Sequence, residues 1–147
     1  MTATRTLLAC AAALLDQGRT VDRLSRPLTA AALIGVLVYP AAIGQPPLAL
    51  AAAAIVVALA GFAESYLAIR TAFDAALFHR LASAPEPVDF GEIDQALTKL
   101  GLLPAAKRGC AADARIAGAR RLMRLQVLAL LVQVFAIAGG AMALMWR

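Results

Sequence analysis

Glu64 is the residue of this chain whose type and position most invite a chemical role, because it lies inside an otherwise apolar run, residues 48–69. An ionisable side chain in hydrocarbon is costly, so by default one that is kept there marks an ion, proton or substrate path. Counted from Pro47, Glu64 falls in the inner third of the run, about one turn from the headgroups, where a structural or interfacial role is the simpler reading. Gln126 and Gln133 lie in another apolar run, residues 125–146, seven apart and therefore on one helical face. Their amides can form interhelical hydrogen bonds worth about 0.6 kcal/mol each, which self-association or a partner's helices would satisfy. Glu64, Gln126 and Gln133 together make the candidate intramembrane polar site.

A second set of candidates flanks the apolar runs. Arg70 and Asp74 are four residues apart, the spacing of an intrahelical ion pair, and Tyr66, Phe73 and Leu77 share their side. An exposed pair of this kind contributes about 0.3 to 0.5 kcal/mol, so an ordinary surface pair is the simpler reading and a docking surface the functional one. His79 is the only histidine. A metal or proton-relay role for it needs carboxylate or thiolate partners, and at helical spacing there is only Asp74, five residues back and off its face. Arg115, Arg120, Arg121 and Arg124 precede the last apolar run. Anchoring to anionic headgroups explains them, with a specific acidic lipid or acidic partner as the sharper alternative.

Other chemistry is poorly supplied. Cys10 and Cys110 are a hundred residues apart and in no CxxC or CxxH arrangement, so both read as free thiols. There is no Gly-rich phosphate loop, no HExxH, no paired histidines and no Ser, His and Asp set in a convincing context. The expectation is a protein that is not an enzyme, with no cofactor and no metal.

The elements that must position these groups are set by solvent. Of 147 residues 62% are hydrophobic and only 16% charged, and mean hydropathy is +0.77; a soluble domain carries about 25% charged residues. Lipid is the expected surroundings. The net charge of +5 comes from basic residues that flank apolar runs rather than lying among aromatic stacking residues, which points to headgroups and not to nucleic acid. Three runs can span: residues 28–44, slightly short unless extended back through Leu24, then 48–69 and 125–146. A crossing helix needs about 20 residues at 1.5 Å each. Gly44, Pro46 and Pro47 cannot continue a helix, so the first two spans should form a tight hairpin.

Around the spans, residues 1–23 place Leu7, Leu8, Ala11, Leu14 and Leu15 on one side of a helix interrupted near Gly18, lying at the interface or against the rest of the non-spanning part. The apolar run before Cys10 is too short for a secretory or lipoprotein leader, which takes about 7 to 15 residues. Phe90, Ile93, Leu97 and Leu100 share one face, Asp89 can cap their helix with Glu92 three residues on, and Gly101 and Pro104 end it. Residues 69–82 and 111–124 contain no proline and can extend the second and third spans to helices of about 35 residues, some 50 Å long. The expected fold is an all-α integral membrane protein with three transmembrane helices and a small helical lobe. Its parts are an amphipathic helix at 1–23, a hairpin at 24–69, the lobe at 70–124 and a third span at 125–147.

Charge and small residues complete the reading. Arg5, Arg19, Arg23 and Arg26 precede the first span, the first loop has no Lys or Arg, and residues 70–124 hold nine of the fourteen. By the positive-inside rule the N-terminus and the lobe are cytoplasmic and Arg147 is outside. Twelve Arg against two Lys, with abundant Ala, suits a bacterial inner membrane protein. Small residues fall in stripes: Ala31 and Gly35 on the first span, Ala54 and Ala58 or Val57 and Gly61 on the second, and Ala136, Gly140 and Ala143 on the third. Such stripes let membrane helices approach closely. The expected function is a small accessory or assembly subunit that packs through these faces, against other membrane subunits or copies of itself, and engages a partner protein through its basic lobe. The alternative is a homo-oligomeric channel or transporter using Glu64.

Overall fold

The computed structural model describes residues 3–85, 89–102 and 109–146, the side chain of Ala3 excepted, and their regular structure is entirely helical. In order these are α1 (Ala3–Asp16), α2 (Gly18–Ala42), α3 (Leu48–Ser83), α4 (Phe90–Lys99) and α5 (Ala112–Met145). Three stretches, Thr4–Ala42, Leu48–Ser83 and Ala112–Met145, are long and apolar enough to cross a membrane. Their outer faces carry bare apolar side chains such as Leu37 (76% exposed), Leu59 (64%) and Phe135 (71%), which suits contact with lipid tails or another helix.

Helix boundaries follow local chemistry. The hydrogen-bond ladder lapses at Gln17, whose N–H reaches only Leu14 O, and resumes when Thr20 N–H donates to Gln17 O. From Gly18 onward α2 runs through residue 23 without a break, carrying Pro27 and Pro40 within it. It stops at Ile43, whose N–H donates to Tyr39 O at 2.9 Å, and Gly44 then takes φ +105°, a backbone that L side chains rarely adopt. Pro47 caps α3, its carbonyl accepting from Leu50 and Ala51. α4 is tightly defined at both ends. The Asp89 carboxylate accepts from Gly91 N–H at 2.7 Å, and Gly101, at φ +69°, donates to Thr98 O while Leu102 donates to Leu97 O. That pair of bonds is a Schellman ending, satisfying carbonyls the helix leaves free. Pro104, expected to help end this helix, and Arg147, expected beyond the third span, lie outside the described residues.

α3 is the hub: α5, α2 and α1 all pack on it. With 36 residues in α3 and 34 in α5, each is about 50 Å long and runs without interruption between an apolar half and a more polar half, the lobe. The lobe core joins Leu8, Ala11, Ala12 and Leu15 of α1 to Ala75 and Phe78 of α3 and Ala119 of α5. α1 therefore packs against α3 and α5 at Ala75, Phe78 and Ala119. Its buried stripe is narrower than the expected one, because Leu7 and Leu14 remain 44% and 45% exposed.

Candidate functional site: a polar seam between the long helices

Glu64, Gln126 and Gln133 are each 0% exposed and all face the chain's own core. Two rungs cross it. In the first, the Gln126 Nε2 amide donates to Glu64 Oε1 at 2.8 Å and to Gly18 O at 2.7 Å, tying α5 to α3 and α2. In the second, Gln133 Nε2 donates to Thr29 Oγ1 at 2.9 Å and to Val57 O at 3.2 Å, while Thr29 Oγ1 donates to Ser25 O at 3.1 Å. Gln126 and Gln133 are seven apart on α5, as Val57 and Glu64 are on α3, so the rungs stand two turns, about 10 Å, from each other.

Glycine makes room for both. A Cβ on Gly18 would lie 2.9 Å from Gln126 Oε1, and a Cβ on Gly61 would overlap Thr29 Oγ1 and the Gln133 amide. The seam is not saturated: Ser25 Oγ, Glu64 Oε2, Thr71 Oγ1, Gln126 Oε1 and Gln133 Oε1 are buried with no hydrogen-bond partner among the described residues. A cleft of about 220 Å³ lined by Gly18, Asp22, Arg26 and Thr71 reaches its lobe-side end. Beyond Gln133, toward the loop at 43–47, the helices meet through Ala, Val, Leu and Gly, with Tyr39 at the margin.

The small residues divide into two groups. Gly61 and Gly140 are buried at helix contacts, and a Cβ on Gly140 would come within 2.9 Å of Ala53 Cβ. Ala58, Ala136 and Ala143 are half-buried. On α3 the Val57 and Gly61 register faces the core, the same register that carries Glu64. Ala31 and Gly35 do not close against a helix of this chain: both are exposed, and with Ala54, Val57 and Gly140 they line an apolar groove of about 390 Å³ between α2, α3 and α5.

In the lobe, His79 acquires a carboxylate that spacing along its own helix did not offer: Asp16 Oδ2, from the end of α1, at 2.8 Å. Asp16 also faces Arg19 at 3.7 Å, and Arg5 at the other end of α1 donates to Pro85 O at 3.1 Å. At the start of α2, Arg26 grips Asp22 with Nε at 2.9 Å and Nη2 at 2.7 Å. Arg115 is a correction to the outward-facing basic set. It turns inward to Asp94 at 2.5 Å and Cys110 O at 3.0 Å, and it lies over the Phe90 ring, 5.4 Å from its centroid. Asp94 is 3% exposed, and a buried carboxylate needs such a partner; it also accepts from Gly109 N–H at 2.8 Å. Neither residue signals the other in sequence, since they lie on different helices 21 apart.

Arg70 and Asp74 are likewise corrected: they form no ion pair within 4.0 Å, and instead both line a groove of about 570 Å³ between α3 and α5 with Arg121. Burial there pushes the Asp74 carboxyl above its usual range, and Arg70 offsets this only in part. Arg120 and Arg124 are exposed. Among the described residues no group of three His, Cys, Asp or Glu side chains is placed to hold a metal ion. No protein-family model matches the chain, and comparison with curated proteins and with solved structures returned no match.

Proposed function

We propose that this chain is an accessory or assembly subunit of a membrane complex, a preformed body that receives a partner's transmembrane helix and presents a basic lobe to the partner's soluble part. The observation that carries the reading is the direction of the polar groups. Glu64, Gln126 and Gln133 are spent on joining the chain's own three long helices, so its bare spanning surface is apolar. Where that surface is indented, Ala31 and Gly35 allow a second backbone to approach closely. The channel reading requires Glu64 to face a path between copies, whereas it faces α5 of its own chain. The basic lobe and the uncharged 43–47 loop support a cytoplasmic N-terminus and lobe in a bacterial inner membrane.

The test is isolation of the tagged chain from native membranes in mild detergent, with mass spectrometry of what accompanies it. Other membrane chains at fixed stoichiometry are expected. They should be lost in Gly35→Leu, whose Cβ meets nothing within 4 Å in this chain and whose thermal unfolding should be unchanged. A homo-oligomer whose ion flux disappears in Glu64→Ala, with folding and assembly preserved, would overturn the proposal.

A further inference from the structure

The α3–α5 groove holds an unusual combination of groups. Arg70 and Arg121 stand exposed on its rim, and neither makes an ion pair or hydrogen bond among the described residues. Asp74 is half-buried in the same groove and, among the described residues, also lacks an ion-pair partner within 4.0 Å. Phe73, Leu122 and Leu125 give it apolar walls. Its position along the helices is equally informative, since Arg70 follows the apolar run of α3 and Leu125 opens that of α5. The groove thus opens at the ends of the apolar runs, the level at which a bilayer around them would place its headgroups.

Two guanidinia suit a phosphate, for which arginine is the favoured ligand. A simple anion site, however, would gain nothing from a carboxylate in its wall, since like charges repel across a partly dry groove. A ligand carrying a phosphate and an ammonium a few bonds apart satisfies all three residues. The apolar walls at the membrane end then continue into acyl chains. We propose that this groove binds the headgroup of an amine-bearing glycerophospholipid drawn from the bilayer, with Arg70 and Arg121 on its phosphate and Asp74 on its ammonium. The inference stands apart from the accessory-subunit reading, because it rests on the groove alone.

The experiment is native mass spectrometry of the full chain in nanodiscs containing equal phosphatidylethanolamine, phosphatidylglycerol and phosphatidylcholine, reading which lipid is retained on release. One phosphatidylethanolamine per chain is expected, preferred by about tenfold, the ratio for one charge-assisted hydrogen bond. Asp74→Asn should bring the preference to near parity while some phospholipid is still retained, and Arg70→Ala with Arg121→Ala should weaken retention of every phospholipid. Gly118 lines the groove and a Cβ there meets nothing within 4 Å. Gly118→Leu therefore starts its side chain into open space of the groove, and should abolish retention at unchanged helicity. Preference for phosphatidylglycerol, or retention unaffected by Asp74→Asn and Gly118→Leu, would overturn the proposal. So would equal binding of free glycerophosphoethanolamine, which would identify a soluble ligand in place of a membrane lipid.

Discussion

Gln126 and Gln133 make two hydrogen bonds each through one nitrogen, yet their loss should be felt differently. Gln133→Leu leaves Thr29 still bonded to Ser25 O, and membrane hydrogen bonds average about 0.6 kcal/mol, so a cost of about 1 kcal/mol is expected. Gln126→Leu strands the Glu64 carboxyl, whose other oxygen already has no described partner, and should cost about 3 kcal/mol in unfolding from mixed micelles. The double change Glu64→Leu with Gln126→Leu should recover much of that, the non-additivity expected of a contacting pair. Glycines give a second contrast. Gly61→Ala drives a methyl into Thr29 and Gln133 and should cost about 1 to 3 kcal/mol, whereas Gly35→Ala meets open space and should be neutral or stabilising by up to about 1 kcal/mol in the unpartnered chain. Asp74 supplies a pH dependence. Its folded pKa is raised by burial from 3.8, so its contribution is favourable below that value and is lost as pH rises through the folded pKa. Asp74→Asn should therefore raise the unfolding temperature at pH 7 in lipid-free detergent, with the gain vanishing at about pH 3.

At the scale of elements, α4 was the most legible part of the chain, because capping and its glycine ending are local chemistry written within a few residues. Asp89 and Gly101 occupy the cap and C′ positions that their types suggest. The break near Gly18 was legible too, but its reason was not: the missing side chain seats Gln126, 108 residues away. α1 shows the same limit. Its apolar periodicity was readable, while its docking depended on Phe78 and on Ala75 and Ala119, two alanines that carry little signal on their own. The Asp16–His79 and Asp94–Arg115 pairs join separate helices, and no spacing rule reaches across them. Energetically the two kinds of contact differ. Leu15→Ala should cost about 2 to 5 kcal/mol and expose α1 amides to hydrogen exchange. Asp16→Ala, whose partner His79 is 51% exposed, should cost under about 1 kcal/mol.

For the whole molecule, hydropathy made the three long apolar helices legible, because in lipid each spanning segment must be apolar and must satisfy its own backbone. Which faces meet was less so. The seven-residue spacing of Gln126 and Gln133 marked a common face, but nothing in the apolar runs distinguished the closed Gly61 and Gly140 contacts from the open Ala31 and Gly35 groove. The proposed orientation has a direct test in the native thiol. Cys10 is exposed, so an impermeant thiol reagent should label Gln45→Cys in intact cells while Cys10 reacts only after permeabilisation.

The continuity of α3 from Leu48 to Ser83 also has a mechanical meaning. α3 is held to α5 near its middle at Glu64 and again at Val57, and to α1 and α5 through Ala75 and Phe78, so it can tilt only together with them. From Glu64 to Ser83 is about 28 Å of helix, and a tilt of the three by about 5° at Glu64 carries the far end by about 2.5 Å, half a helical pitch. In the membrane reading proposed above, a neighbour that leans on the apolar half of α3 would therefore carry the more polar half with it.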